Sequence, residues 1–177
     1  MRIIAGRWKG RVLAAPEGLN TRPTNIRARQ AVFDILAHAP WCELDGAKVL
    51  DVFAGTGAYG LEALSRGAAA ARFIENAKPA LVVLKANVSA CKAETARIVP
   101  ADALHPPAGT PHDLVFLDPP YGQALVAPCL AALAEKGWIA PGAIIVAELG
   151  PGEALDVQKP LAERAHGQAY LKIWRFT

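Results

Sequence analysis

The residues from Asp51 to Gly60 form a glycine-rich motif next to an acidic side chain. They read Asp51-Val-Phe-Ala-Gly-Thr-Gly-Ala-Tyr-Gly60, so that Gly55, Gly57 and Gly60 have the GxGxxG spacing. Such glycines let the backbone turn tightly and approach a ligand closely. Glu75 follows Gly55 by twenty residues, a position from which an acid accepts hydrogen bonds from ribose hydroxyls. We therefore expect a cofactor with a ribose beside this motif.

Asp51 decides which cofactor the motif suits. A carboxylate at this place would repel the pyrophosphate of a nicotinamide dinucleotide and would attract a positively charged ligand. S-adenosylmethionine has an ammonium, a sulfonium and a ribose diol, and it carries no phosphate. We therefore predict S-adenosylmethionine. A nicotinamide-dependent oxidoreductase is the weakest alternative, because no suitable proton donor is placed near the glycines.

A second motif ends a strongly apolar segment, where Leu114-Val-Phe-Leu is followed by Asp118-Pro119-Pro120-Tyr121. Proline fixes its own φ and restricts the residue before it. The Asp118 carboxylate and the Pro119 carbonyl would thus be two fixed acceptors for the hydrogens of an exocyclic amino group. Tyr121 offers a ring on which an extruded base could stack. We predict that Asp118, Pro119, Pro120 and Tyr121 are catalytic and act by positioning and electrostatics.

Alternating strands and helices are predicted to position both motifs. Strands are expected at 47–52, 70–75, 96–100, 113–118 and 143–148, and helices at 25–38, 59–65, 79–91 and 123–136. This alternation is typical of an α/β fold with a mostly parallel sheet covered on both faces. An antiparallel hairpin with its turn at His166-Gly167 is expected to close the sheet, and residues 2–5 and 11–14 should form a small N-terminal β-hairpin. Such sheets bind ligands at the carboxyl ends of their strands, where both motifs would lie.

Charge is distributed unevenly along the chain. The net charge is +3, but the first 30 residues hold seven basic groups and one acid, which leaves a net of −3 for the remaining 147. Such an asymmetry indicates a nucleic-acid partner for the basic end. We predict a basic arm over residues 1–24 and a catalytic domain over 25–177. The residues predicted to bind the nucleic acid are Arg2, Arg7, Trp8, Lys9, Arg11 and Arg27.

Composition argues against several other classes of protein. The chain has 177 residues, of which 53% are hydrophobic, which fits one ordinary domain and is too apolar for a disordered chain. Cys42, Cys91 and Cys129 form no CxxC pair, and there is no HExxH motif, so neither a disulfide framework nor a metal site is predicted. The longest charge-free apolar stretch, 124–134, is too short for a membrane span. Since the N-terminus also lacks a signal-peptide core, we expect a cytoplasmic protein.

Several further segments accompany the two motifs. They are Met1-Arg-Ile-Ile-Ala-Gly-Arg-Trp-Lys-Gly-Arg, Arg22-Pro-Thr, Arg27-Ala-Arg-Gln-Ala-Val-Phe and Gly60-Leu-Glu-Ala-Leu-Ser-Arg-Gly-Ala. With both motifs, they make the chain similar to the RsmD family of class I S-adenosylmethionine-dependent methyltransferases. The resemblance implies a Rossmann-like fold with a seven-stranded sheet. It also implies methyl transfer to the N2 amino group of a specific guanine in 16S ribosomal RNA, with S-adenosylhomocysteine as product and no metal.

The same resemblance implies partners and site residues. The partner would be 16S rRNA in the small ribosomal subunit or its assembly intermediate. Independently of the resemblance, a chain of this size with one site is expected to work as a monomer, without membrane contact. Where this family commonly has a second acid after the ribose-binding one, the chain has Asn76-Ala77, so the adenine contacts are expected to differ. The implied cofactor-binding residues are Arg22, Thr24, Asp51, Phe53, Ala54, Gly55, Thr56, Gly57, Glu75, Asn76, Asp102 and Ala103.

Some alternatives stay open on the sequence. Asp102 would lie near the adenine amino group in the family pattern, and it is equally well placed to cap a short helix. Arg27 and Arg29 lie at the start of a predicted helix, where the macrodipole does not favour positive charge, which suggests that they contact RNA or cofactor. For the whole protein, a DNA adenine-N6 methyltransferase and a non-catalytic RNA-binding assembly factor are the alternative functions.

Overall fold

Strands and helices alternate along most of the chain in a computed structural model that describes residues 1–16, 23–156, 159–166 and 169–177. The helices are α1 (Pro23–His38), α2 (Ala58–Ser65), α3 (Lys78–Ala90) and α4 (Val126–Glu135). The strands are β1 (Lys48–Val52), β2 (Ala70–Glu75), β3 (Ala96–Pro100), β4 (His112–Leu117), β5 (Ile139–Leu149), β6 (Ala162–His166) and β7 (Ala169–Arg175). None of the helices in these described ranges has the length and apolar character needed to cross a membrane.

The seven strands form a single sheet in the order β3-β2-β1-β4-β5-β7-β6. The first five strands are parallel, and β7 pairs antiparallel with both β5 and β6. The predicted parallel sheet with a closing antiparallel hairpin is therefore confirmed, although Gly167 of the predicted turn lies outside the described residues. The strand order reverses between β1 and β4. At such a switch point the loops that follow two neighbouring strands diverge and leave a crevice for a ligand.

The sheet is buried on both faces, as expected of a parallel sheet. Side chains alternate along β1, so Val49 packs with α1, α2 and α3 on one face while Leu50 packs with α4 on the other. Neither side chain is exposed to solvent. Burial of the whole strand fixes its register, because a slip by one residue would exchange the two faces. The loops that follow β1 and β4 therefore start from fixed positions.

The predicted N-terminal hairpin is present and is built into the body of the protein. Ile3 and Leu13 are each 2% exposed and belong to the main core, while Arg2 and Val12 form an antiparallel bridge. The buried carboxylate of Glu62 accepts hydrogen bonds from the backbone N–H groups of Ile4 and Ala5 at 2.7 and 3.0 Å. We call residues 1–14 the N-terminal hairpin; residues 17–22 lie outside the described residues.

One element begins later than the sequence predicts. The last helix was expected from residue 123, whereas α4 begins at Val126. Gly122 and Ala124 have φ of 79° and 49°, which an α-helix does not allow. Both backbone N–H groups are bound by Oε1 of Glu153, at 2.7 and 3.2 Å. A contact from a distant loop thus replaces the first helical turn, and helical periodicity alone could not reveal it.

Candidate active site

A cavity opens at the switch point of the sheet, beyond the carboxyl ends of β1 and β4. Its wall combines the glycine motif, the acid that follows β4, an acid on β5, an arginine of α1 and part of the N-terminal segment. The lining residues are Met1, Ala15, Pro16, Arg29, Asp51, Phe53, Ala54, Gly55, Thr56, Ala58, Tyr59, Asp118 and Glu148. The structure therefore brings the two predicted motifs to one place.

The glycine motif makes the turn from β1 into α2. Phe53, Gly55 and Gly57 all have positive φ, at 58°, 54° and 79°. A Cβ on Gly57 would lie 2.5 Å from the Leu84 side chain, and one on Gly60 would lie 2.4 Å from the ring of Phe73. These two glycines let α2 pack closely on the sheet. Gly55 lines the cavity itself, so the three glycines of the motif have different physical tasks.

Asp51 is a buried acid in the floor of the cavity. It is 2% exposed, and its Oδ2 accepts a hydrogen bond of 2.8 Å from the Gly60 N–H. Burial, with the nearby charge of Glu75, raises the pKa of Asp51 to about 7. The hydrogen bond from Gly60 and the charge of Arg29 oppose this shift. A cationic ligand would favour the ionised form, as the sequence predicts for this residue.

Glu75 connects the end of β2 to the glycine motif. Its Oε2 accepts a hydrogen bond from the Gly55 N–H at 2.8 Å, and its Oε1 accepts bonds from the N–H groups of Asn76 and Ala77 at 2.9 and 2.8 Å. Oε2, which accepts one hydrogen bond, still has a lone pair for a hydroxyl donor. Glu75 thus binds Gly55 of the cavity wall, and the cofactor contacts of Glu75 and Asn76 stay predictions.

Asp102 occupies a turn after β3. Its Oδ1 accepts a hydrogen bond from the Leu104 N–H and its Oδ2 lies 3.0 Å from His105 Nδ1. The bond from the Leu104 N–H lowers the pKa of Asp102, and 44% of the side chain is exposed. These contacts stabilise a turn: residues 102–105 form no helix that Asp102 could cap, and an adenine contact stays a prediction. The neighbouring Ala103 is 3% exposed and packs in the core.

The second motif follows β4 directly. Asp118 lines the cavity, and its pKa is raised well above its ordinary value by burial and by the nearby charges of Glu148 and Asp51. Pro119 is buried, while Pro120 is exposed. Tyr121 is 41% exposed and packs on Gly150. A Cβ atom added to Gly150 would lie 2.9 Å from the Cβ atom of Tyr121.

Sequence reasoning missed Glu148 and Tyr59. Glu148 is 6% exposed and lies beside Asp118, because Ala147 and Leu117 are register partners of β5 and β4. Its Oε1 accepts a hydrogen bond from the Tyr59 hydroxyl at 2.5 Å, and its Oε2 accepts one from the Tyr121 hydroxyl at 3.3 Å. The sequence did contain one indication of Glu148, since it is an acid at the end of an apolar strand, where burying a charge costs free energy.

Arg29 is buried under the cavity, 2% exposed. Its guanidinium donates to the Met1 sulfur at 3.0 Å and to the Arg2 carbonyl at 2.5 Å. Its Nε has no hydrogen-bond partner among the described residues, and the residue lines the cavity. The helix turns the Arg29 side chain into the protein, which favours the cofactor over RNA as the partner expected for this residue. A cofactor contact remains.

The basic residues of the N-terminal hairpin lie mostly at the surface. Arg2, Arg7, Lys9 and Arg11 are exposed, and the Arg7 guanidinium lies 4.2 Å from the centroid of the Trp8 ring. Their RNA contacts, with that of the exposed Arg27, stay predictions. Arg22 lies outside the described residues. Thr24 belongs to α1, but its side chain is likewise outside the described part.

Asn87 links the N-terminal hairpin to the cavity. Its side-chain amide accepts a hydrogen bond from the Ala14 N–H at 2.8 Å and donates to the Ala14 carbonyl at 3.0 Å. The same amide nitrogen donates to the Thr56 carbonyl of the glycine motif at 2.9 Å. One buried side chain of α3 therefore fixes the spacing between these two segments.

The sheet order and the site at its switch point define a Rossmann-like methyltransferase fold. A solved RNA methyltransferase from Salinibacter ruber, in complex with S-adenosylhomocysteine, has this fold, with a TM-score of 0.64 at 14% identity over 84% of this chain and 90% of that one. The family model described as Conserved hypothetical protein 95 matches residues 1–174. The chain belongs to that family, the RsmD family.

Two curated relatives and a solved structure agree with this assignment. Ribosomal RNA small subunit methyltransferase D of Escherichia coli is 42% identical over 150 residues, covering 84% of this chain and 74% of that protein. The protein of the same name from Haemophilus influenzae is 38% identical over 154 residues, covering 84% and 78%. The solved Escherichia coli protein yhhF has a TM-score of 0.86 at 38% identity and covers 99% of this chain and 97% of its own.

Proposed function

We propose that the protein transfers a methyl group from S-adenosylmethionine to the N2 amino group of a specific guanine in 16S ribosomal RNA. The observation that carries the proposal is the convergence of Asp51 and Asp118 in one cavity at the switch point of the sheet. The names of its relatives point to ribosomal RNA of the small subunit. The substrate would accordingly be the small ribosomal subunit or its assembly intermediate, met in the cytoplasm by a monomeric enzyme.

The charged groups of the cavity fit the methionine end of S-adenosylmethionine. That end is a zwitterion next to a sulfonium, so it needs one positive and one or more negative partners. Arg29 has a buried Nε without a partner in the described chain, which suits the carboxylate. Asp51 has its pKa raised to about 7 by burial, so the ammonium would relieve the cost of ionising it.

The cofactor supplies an electrophilic methyl group on sulfur, and the residues after β4 would supply the geometry. In the transfer, a carbon–nitrogen bond forms as the carbon–sulfur bond breaks, its electron pair stays on sulfur, and the amino nitrogen loses one proton. Asp118 and the Pro119 carbonyl would hold the two hydrogens of the amino group. Because the pKa of Asp118 is raised, its carboxylate is suited to accept the proton that leaves.

The phosphate backbone of the RNA would be bound by residues other than those that bind the target base. The exposed basic residues of the N-terminal hairpin, among them Arg7 and Lys9, would bind the phosphate backbone. Tyr121 is 41% exposed, and its hydroxyl binds Glu148 of the cavity wall, so an extruded base would stack on its ring beside the cavity. The amino group of that base would then reach Asp118.

Methyl incorporation tests the proposal. Small ribosomal subunits lacking the methyl group, the 16S rRNA extracted from them and duplex DNA are incubated with labelled S-adenosylmethionine, and the methylated base is identified. We expect N2-methylguanine in the ribosomal substrate. N6-methyladenine in DNA would instead identify the alternative DNA methyltransferase, and no transfer in a single turnover would identify a non-catalytic assembly factor.

Asp118→Ala gives the first testable prediction. It should lower the rate constant for methyl transfer by about 100-fold or more, since it removes a fixed acceptor of the transition state, while cofactor affinity changes less than about threefold. Asp113→Ala is the matched control, because Asp113 is an exposed acid at the amino end of β4, the strand that Asp118 follows, and binds the Lys48 N–H there. Near-normal turnover of the Asp118 variant would contradict the mechanism.

A further inference from the structure

The proposed transfer leaves one acid in the cavity wall without a task. Glu148 lies at the end of β5, beside Asp118 at the end of β4, and it is 6% exposed. Both of its oxygens accept a tyrosine hydroxyl, from Tyr59 at 2.5 Å and from Tyr121 at 3.3 Å. A second lone pair on each oxygen can still accept a hydrogen bond. The carboxylate is therefore held in place and keeps acceptor capacity toward the cavity.

We propose that Glu148 accepts the N1–H of the target guanine and thereby selects guanine over adenine. This inference rests on the proposed function. Asp118 would hold the amino group, and Glu148 would read the neighbouring position on the same edge of the base. Glu148 is then a specificity-determining residue that contacts the substrate.

The donor pattern of the base supports this assignment. On its Watson–Crick edge guanine presents two adjacent donors, the N1–H and the N2 amino group, whereas adenine presents an acceptor at N1. Two carboxylates side by side offer only acceptors when ionised. They match the guanine pattern and oppose the lone pair of adenine N1, so the same pair attracts the right base and repels the wrong one.

The two tyrosines explain how Glu148 would be kept in position. Tyr59 is buried, and its ring stacks on Phe116 with centroids 4.9 Å apart, which fixes the hydroxyl that binds Oε1. Tyr121 is the exposed ring on which the base would stack. Through its bond to Oε2, the stacking surface and the reading carboxylate form one unit. A base stacked on Tyr121 would meet the Glu148 carboxylate at its edge.

The test uses ribosomal RNA in which the target guanine is replaced by 2-aminopurine. This base keeps the amino group but has an unprotonated ring nitrogen at N1. The wild-type protein should methylate it with a kcat/KM about 10- to 100-fold lower than guanine, the range of a hydrogen bond to a charged group. In Glu148→Gln the side-chain amide can donate a hydrogen bond to that nitrogen. The ratio of kcat/KM for guanine to kcat/KM for 2-aminopurine should therefore fall at least tenfold, while cofactor affinity stays within about twofold of that of the wild type.

A matched control and a second variant keep the test decisive. Glu163→Gln changes another acid that binds a tyrosine hydroxyl, that of Tyr170 at 3.1 Å on the edge of the sheet, and should leave the ratio unchanged. If Glu148→Gln does not fold, Tyr121→Phe retains the ring and removes one of the hydroxyls that hold the carboxylate, and should narrow the ratio to a smaller extent.

Different failures point to different conclusions. An unchanged ratio in the folded Glu148→Gln variant, or a loss of cofactor affinity that accounts for its defect, would overturn the assignment of Glu148 while leaving the proposed function intact. If the wild-type protein methylated neither base in the ribosomal substrate, the proposed function itself would fail, and the inference with it.

Discussion

The protein buries acids in two regions and treats them in opposite ways. Beneath the N-terminal hairpin, Glu62 is fully buried and accepts hydrogen bonds from Ile4, Ala5 and the Arg66 guanidinium, the last at 2.7 Å. In the cavity, Asp51 and Asp118 are left with raised pKa values. A buried acid whose bonds are satisfied holds structure together, whereas one whose charge is under-compensated is prepared for a cationic or hydrogen-bond-donating ligand.

The largest effect is expected at the satisfied acid. Glu62→Ala would leave the Arg66 charge and two backbone N–H groups without their acceptor, which should lower the free energy of unfolding by about 3–5 kcal/mol. Urea unfolding of the variant measures this directly. Glu135→Ala is the control, because its acid is exposed and binds Lys136 at the surface, and should cost less than about 0.5 kcal/mol. Equal costs for the two variants would remove the distinction between the regions.

The pH dependence of cofactor binding sharpens the other side of the comparison. Burial raises the pKa of Asp51 to about 7. Below that pH most of the Asp51 carboxyl is protonated, and it must release the proton when a cation binds. Affinity for S-adenosylmethionine should therefore rise with pH and level off above 7, with a limiting slope of about tenfold per unit on the acid side. Calorimetric titration between pH 5.5 and 8.5 measures it, and Asp51→Asn should flatten the slope.

The same shift predicts the opposite trend for the free protein. Because the folded-state pKa of Asp51 lies above its ordinary value of 3.8, the contribution of this residue to stability is fully present below that value. It is lost as the pH rises through about 7. The free energy of unfolding is measured against pH without cofactor, for the wild type and for Asp51→Asn. The same pH dependence in both proteins would contradict an uncompensated charge on Asp51.

The smallest effect is expected for surface charge on the N-terminal hairpin. Replacing Arg7 and Lys9 by Gln should weaken the salt dependence of RNA binding. The slope of the logarithm of the binding constant against the logarithm of the salt concentration should become shallower by about 0.7 to 0.9 for each charge removed, with little change in stability or cofactor affinity. Replacing Lys48, at the amino end of β1, and Lys136, directly after α4, is the control. If both pairs had the same effect, RNA binding would depend on net charge and not on the hairpin.

Much of the fold could be predicted because its signals are local. The apolar runs that became β1 and β4 and the glycines that turn the chain between β1 and α2 are each visible within about ten residues. The meeting of Asp51 and Asp118 also followed, since parallel strands place their carboxyl ends together. The seven-stranded count came from the family resemblance and from the expected closing hairpin, and the structure confirmed it.

Other parts of the site depend on contacts between distant segments. Glu62 meets Ile4 across 58 residues, and nothing near Glu62 in the sequence distinguishes it from a surface acid of a helix. Arg29 was predicted to contact RNA or cofactor because it lies near the start of a helix, and the sequence did not reveal that α1 turns it inward. Glu148 was recognised only as the end of a strand, because its role depends on the tyrosines that surround it.

The bonds made by Asn87 have a consequence for how the molecule unfolds. Its amide holds Ala14 at the end of the N-terminal hairpin and Thr56 in the turn after β1, so either segment must break a hydrogen bond to the same side chain of α3 when it leaves the body of the protein. Segments joined in this way open together, as one cooperative unit. The hairpin differs from the body in charge, yet in folding it belongs to the same unit as the turn that lines the cavity.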